Sequence, residues 1–513
     1  MTATLDQHFA QLQQRLLAPR QPGIADIDAA TDFAIDANVA GRADLAILLL
    51  EPLTTTAAAT AKVWQLLGLA YRAEQRMVDA TAAFDRAIEL NPEDPRIAMG
   101  KAQIALETGQ PAAEQFARIR QIAPDEPQLA LVTSDALQSE GLADEAAGLL
   151  VGMLDRNPGW VAGHEALLRI RTTMGAADPF ASFTKAVAAA PKDATLRVAE
   201  IRALAQQERW DQAITALDET RIVLGDLPQL NAIAAYLATE TGDHETAQMM
   251  FARTATLNDP GIQLYHIRHC LRTGRPEEAA VIGEALVGTP AENGVWPYLS
   301  LAWRLLGDDR ATWLDGDPPY FKIIDLGCSE SELTDLATVL RQLHVARQHL
   351  PEQSVRGGTQ TDKPLFHRLE PEIVQLRKRV LDAAHEYVAD LPPFDPGHPL
   401  LGTPRGQLLF EGSWSVRLRS AGFHTMHTHP AGWISSAFYV SLPDENAMGP
   451  SPAGWLDLGS PPPELGIDLP SYAKVEPKPG RLVLFPSTMW HGTIPFNDGE
   501  RLTIAFDVRT PTR

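Results

Sequence analysis

The stretch AKVWQLLGLAYRAEQRMVDATAAFDRAIELNPED, residues 61–94, sets the architecture of the first half of the chain. Trp64, Leu67, Gly68 and Tyr71 recur at helical spacing, and Ala80, Phe84 and Ala87 do so again after a polar break. Two amphipathic helices joined by a short turn follow from that period. Gly68, Ala80 and Ala87 are small enough to let the helices cross closely, the large residues plug the groove, and Pro92 stops the second helix. Outward from this unit the pattern weakens but keeps time. Pro92, Pro124, Pro158, Pro191, Pro228, Pro260 and Pro290 are separated by 32, 34, 33, 37, 32 and 30 residues, and we read them as helix-ending prolines. Gly109, Gly141, Gly175, Gly242 and Gly274 fall between them, where inter-helix turns are expected, and residues 24–52 read as a degenerate first copy.

A period of this length carried by paired helices resembles the tetratricopeptide repeat over residues 24–290. The resemblance implies seven or eight helical hairpins stacked as an α-solenoid, with residues 293–319 as a last capping hairpin, and a concave surface that holds a peptide or protein. His164, His244, His266 and His269 are read as groove or surface residues of that array, not ligands.

The 513 residues exceed one hydrophobic core, so more than one domain is expected. The net charge of -21 is uneven: residues 320–513 hold 18 Lys+Arg against 22 Asp+Glu, leaving 26 against 43, or -17, for the first 319. Such an acidic half argues against nucleic acid, whose phosphates need basic patches, and is compatible with a basic partner. Two cysteines, Cys270 and Cys328, without CxxC spacing exclude a disulfide framework and a thiolate zinc site. The N-terminus shows no basic flank followed by an apolar run, and no stretch approaches the roughly 18–20 apolar residues of a membrane span, so a cytoplasmic protein without membrane attachment is expected.

After residue 310 the pattern changes. A short strand is expected at Phe321–Asp325, a helix over 329–350 capped by Ser329 with Glu332, and a second helix from Pro371 to Asp390. Between them QSVRGGTQT, Gln353–Thr361, reads as a polar loop, a lid or substrate rim. From residue 407 the period falls to two: QLLFEG, SWSVRLRS, WISSAFYVSL, RLVLFP and RLTIAFDV are strands separated by Gly, Pro, Asn and Asp, as in a β sandwich or barrel. The prolines of Gly459–Pro470 suggest an ordered insertion forming an active-site wall. The expected fold is therefore multidomain α + β: a solenoid over 1–310, linker and flanking helices over 311–400, and a double-stranded β-helix (jelly roll) over 401–513.

The chemistry concentrates in GSWSVRLRSAGFHTMHTHPAGWISSAFYVSLP (412–443) and KPGRLVLFPSTMWHGTIPFNDGERLTIAFDV (478–508). On an extended segment His427 and His429 point the same way and can share one metal, whereas His424, three residues from His427, is expected to face away. A distant His491 would close a facial site with open positions. Arg501, ten residues after His491, shares a strand face with Thr503; a buried arginine there calls for an anion, and a carboxylate accepts its fork.

These segments resemble the double-stranded β-helix oxygenases that use Fe(II) and 2-oxoglutarate, over residues 320–510, and most closely those whose first metal motif reads HxHP. The resemblance implies Fe(II) at His427 and His491, and Arg501 on the distal carboxylate of 2-oxoglutarate, assisted by Tyr439. Arg417, about ten residues before the motif, could line the same pocket. Where such enzymes carry His-x-Asp or His-x-Glu, this chain has His429, which leaves His429 or Asp457 as the third ligand. The activity implied is O2-dependent hydroxylation of a side chain on a recruited peptide or protein. Two rivals stand beside it: a three-histidine cupin-type dioxygenase without 2-oxoglutarate, and a non-catalytic scaffold with a degenerate barrel.

Overall fold

The structure, a computed structural model, describes residues 2–16, 24–56, 59–257 and 259–511. It comprises two compact units: residues 1–153 with 367–374, and residues 154–366 with 375–513. The first is helical. Helices Ala61–Ala73 and Met77–Leu90 form the expected hairpin, with Leu67, Ala80, Phe84 and Ala87 buried between them. A Cβ on Gly68 would lie 2.8 Å from the Phe84 ring, so a larger residue there would drive the two helices apart.

The second unit begins with more hairpins, among them Ala194–Gln206 with Trp210–Leu224, Pro228–Thr241 with His244–Thr254, Pro260–Arg272 with Pro276–Glu284, and Glu292–Leu306 with Arg310–Asp315. The timing prolines need one revision. Pro92, Pro124, Pro158 and Pro191 follow a helix as expected, but Pro228 and Pro260 begin one. Proline is tolerated at the first helical position because its missing N–H would have no intrahelical partner there.

Residues 322–509 supply nine strands: β1 (Lys322–Asp325), β2 (Val355–Gln360), β3 (Phe410–His427), β4 (Gly432–Ser441), β5 (Leu456–Leu458), β6 (Ala473–Val475), β7 (Arg481–Pro486), β8 (His491–Thr493) and β9 (Glu500–Arg509). The order is β1-β7-β4-β9-β3-β8-β5-β6, with β2 on β3, and every pairing is antiparallel. Tyr439 of β4 and Val483 and Phe485 of β7 share a core with Leu456, Leu458 and Val475 of β5 and β6. Strands that distant in the order can meet only if the sheet curls on itself.

Both expected helices are present, at Glu330–Leu343, whose N-terminus carries the Ser329–Glu332 capping box, and at Pro371–Asp390. The Gln353–Thr361 segment differs from expectation. It is largely strand β2, paired with β3 from Val355↔His424 to Gln360↔Val416. Its two glycines hid it, and they serve the pairing: a Cβ on Gly358 would sit 2.4 Å from the Arg417 carbonyl oxygen. The 459–470 insertion packs against the last hairpin, where Arg304 donates to the carbonyl oxygen of Gly459 at 2.5 Å and Leu465 joins Trp296 and Trp490 in one core.

Candidate active site

Antiparallel register places the histidines. His427 of β3 stands directly opposite His491 of β8, with ring centroids 4.2 Å apart. His429 lies just past the end of β3, its ring 5.0 Å from that of His427 and 4.9 Å from that of His491. One ligand-capable nitrogen from each of the three lies within 4.8 Å of the others. In each ring Nδ1 is engaged away from this point. His427 Nδ1 meets the Thr425 carbonyl oxygen at 2.8 Å, His491 Nδ1 that of Met489 at 3.0 Å, and His429 Nδ1 both carboxylate oxygens of Asp507 at 2.7 Å. An acceptor on Nδ1 fixes the proton there and leaves the Nε2 lone pair for the common centre. Burial, with the neighbouring histidines, pushes His427 down to about 3 and His491 well below the ordinary imidazole value. Both rings are therefore neutral at pH 7, as metal ligation requires.

His424 corrects one expectation. Three residues of β8, Thr493 to His491, oppose four of β3, His424 to His427. The extra residue reverses the side-chain parity, as a β-bulge does. His424 therefore lines the same cavity, its Nδ1 3.0 Å from Thr493 Oγ1.

The cavity measures about 210 Å3 and is lined by the four histidines, Trp414, Gln360, Arg501 and Thr503, among others. Arg501 is only 2% exposed, and its Nε and Nη1 have no hydrogen-bond partner. Its guanidinium carbon lies 5.1 Å from the ring centre of Tyr439, whose buried hydroxyl also lacks a partner. Burial lowers the Arg501 pKa and raises that of Tyr439. Unpaired donors in such a place are costly unless an acceptor arrives. An anionic carboxylate fits them.

Arg417 is not part of this group. Val416 and Leu418 share the cavity face of β3, so Arg417 between them points outward, where it pairs with Glu500 at 2.5 Å. Asp457 is likewise excluded. Leu456 and Leu458 face inward, and Asp457 instead accepts from Ser460 Oγ at 2.7 Å. Sequence reasoning missed Asp507. Its signal was present, because Arg501, Thr503 and Asp507 have the same parity on β9. Asp507 also accepts from Ser435 Oγ at 2.7 Å, and Ser435 Oγ lies 2.9 Å from Ser487 Oγ. A second convergence, of His266, Cys270 and Glu278, occurs among the repeats, but Glu278 there is held by Arg275 at 2.8 Å.

Residues 412–507 match the family described as "Putative 2OG-Fe(II) oxygenase", and residues 61–104 match the tetratricopeptide repeat. The class is thus a tetratricopeptide-repeat region followed by a C-terminal 2OG-Fe(II) oxygenase domain. Over 207 residues the chain is 31% identical to the cellulose synthase operon protein C of Xanthomonas axonopodis pv. citri, covering 37% of this chain and 13% of that protein. The chain therefore spans about an eighth of the length of this curated relative. Among solved structures, a Pseudomonas putida prolyl-4-hydroxylase aligns at 16% identity over 37% of this chain and 93% of its own, with a TM-score of 0.27. A tetratricopeptide repeat protein from Parabacteroides merdae aligns at 13% identity over 47% and 96%, with a TM-score of 0.31. YrrB, a TPR protein with an unusual peptide-binding site, aligns at 14% over 37% and 97%, with a TM-score of 0.30.

Proposed function

We propose that the C-terminal domain is an Fe(II)- and 2-oxoglutarate-dependent dioxygenase that hydroxylates a side chain of a peptide or protein recruited by the repeats. In this reading residues 1–310 recruit, 311–400 supply the flanking helices together with β1 and β2 of the sheet, and 401–513 form the rest of the catalytic core. The observation that carries the reading is the convergence of three histidine nitrogens beside a buried arginine whose Nε and Nη1 lack a partner. His427, His429 and His491 hold the metal through Nε2. Arg501 forks onto the distal carboxylate of 2-oxoglutarate, with the Tyr439 hydroxyl beside it and Thr503 on the same wall. Fe(II), 2-oxoglutarate and O2 together supply the oxidising power for C–H hydroxylation, with succinate and CO2 as coproducts. The protein's share is to orient these groups and to exclude water from the cavity. The test is anaerobic titration with Fe(II) and 2-oxoglutarate, followed by O2, succinate assay and mass spectrometry of peptides. Succinate formation that needs both additions supports the reading; metal uptake with no 2-oxoglutarate binding refutes it. A three-histidine donor set would also suit a dioxygenase that needs no 2-oxoglutarate, but Arg501 would then be a buried cation without a purpose.

Recruitment rests on a second set of residues. Trp210, Tyr236 and Tyr265 adjoin in a row with ring centroids 6.1 and 4.4 Å apart, and Tyr298 meets Trp490 edge-on at 5.5 Å. Beside Trp210, Gln207 and Glu208 bond Glu352 and Arg356 at 3.1 and 2.6 Å, flanking the cavity-lining Gln353 and Ser354. At the other end Trp490 is adjacent to His491. The aromatic residues thus connect two segments that reach the cavity, which suits an extended peptide passing over them. The acidic balance of the repeats favours a basic peptide, and the two free cysteines favour a reducing cytoplasm. Among the described residues no helix is long and apolar enough to cross a membrane.

A further inference from the structure

We infer that Asp507 supplies, through His429, the negative charge that the metal-binding motif itself lacks. The inference rests on the proposed metal centre and concerns what makes a three-histidine centre workable. Three neutral imidazoles leave a divalent ion one charge unit more positive than two imidazoles and a carboxylate would. Of the three rings, His427 and His491 donate from Nδ1 to backbone carbonyl oxygens, whereas His429 donates to a carboxylate. A carboxylate behind an imidazole raises the basicity of the opposite nitrogen and fixes the ring's tautomer and orientation. His429 is therefore the strongest donor of the three, and the missing charge lies one imidazole ring away from the ion.

Asp507 is built for this role. It is 6% exposed, and its Oδ1 accepts from Ser435 Oγ at 2.7 Å, within a run that continues to Ser487. Ser487 also fixes the His429 backbone, since its carbonyl oxygen accepts from His429 N at 3.0 Å. A Cβ on Gly432 would stand 2.6 Å from Ser487 Oγ and 3.0 Å from the Asp507 Cβ. The carboxylate thus sits in a close-fitting socket formed by β4, β9 and the end of β7, with both oxygens on one imidazole. Asp507 is a positioning residue: it acts on the metal only through His429.

The test is anaerobic calorimetric titration of the full chain with Co(II), with thermal unfolding of each variant as a check on folding. Asp507→Asn, which keeps shape and removes charge, should weaken Co(II) binding about 10- to 100-fold. In a His429→Asp background, where a carboxylate enters the ligand position, Asp507→Asn should no longer weaken binding. A residue that merely holds β4 to β9 would lower affinity equally in both backgrounds, and that result overturns the inference. Wild-type affinity in Asp507→Asn overturns it as well. Ser435→Ala, which keeps the charge but removes one anchor, should lose less than Asp507→Asn; an equal or larger loss counts against a charge effect. If the wild type takes up no Co(II), or if His427→Ala and His491→Ala bind it unchanged, the metal centre itself fails, and that outcome is distinct from failure at Asp507 alone.

Discussion

At the scale of single residues the cavity places Arg501 under the strongest constraint. Its charge is buried against Tyr439 without a hydrogen-bonding anion, an arrangement that costs stability until a carboxylate binds. Arg501→Leu should therefore weaken 2-oxoglutarate binding by roughly 10- to 100-fold, the equivalent of about 1.5–3 kcal/mol for a charged hydrogen bond. Metal affinity should be nearly unchanged, and the ligand-free variant should melt no lower than the wild type. Titration with 2-oxoglutarate in the presence of Co(II), with paired thermal melts, checks all three, and unchanged 2-oxoglutarate affinity would remove Arg501 from the role. His429 makes the matching prediction for the metal. His429→Ala should lose iron about as completely as His427→Ala, whereas Asp457→Ala, altering a residue that faces away, should keep it. Iron content after gel filtration decides between them.

Among the elements, β2 pairs with the strand that carries His424 and His427, and that pairing depends on details with no periodic signature. Gly358 brings the two backbones together, so Gly358→Ala would force its new methyl group against the Arg417 carbonyl oxygen, 2.4 Å away. The variant should be destabilised by about 1–3 kcal/mol, as overpacking usually costs, and denaturant unfolding measures it. His344 reports on the same pair of strands. It lies 2.8 Å from Thr359 Oγ1 on β2 and 3.1 Å from Ser415 Oγ on β3, and burial lowers it from 6.5 to about 4. For a base depressed in the folded state, the unfolded chain takes up the proton first as pH falls. The stability it contributes is therefore complete above about pH 6.5 and is lost on acidification toward pH 4. His344→Gln should flatten the profile of melting temperature against pH in that window; an unaltered slope would show that other buried histidines carry the effect.

For the molecule as a whole, the charge asymmetry and the aromatic row make a joint prediction about the recruited peptide. If a basic peptide is drawn to the acidic repeats, its turnover should fall as salt is raised from about 0.05 to 0.5 M, because screening shortens the reach of the field. Tyr265→Ala should raise the KM of that peptide, while succinate formed without peptide stays at the wild-type rate. Salt-independent turnover, or an acidic peptide as the preferred substrate, would refute the charge argument.

The sequence by itself determined the helical hairpins, the change of period after residue 310, the four longer strands from Phe410 onward, both flanking helices, and His427, His491, Arg501 and Thr503 as a group. Each of these is a local pattern: period 3.6, period 2, a cap, or an i, i+2 relation that survives without knowledge of the partner strand. Tertiary structure decided the remainder. The inward turn of His424 came from one extra residue between β3 and β8, and β2 formed on a glycine pair that reads as a loop. Arg417 could be assigned its outward face only once its register against β9 was known. Asp507 lies 78 residues from His429 in the chain and 2.7 Å from it in the fold. That distance depends on how a sheet curls, and the strength of the His429 side chain as a donor depends on it in turn.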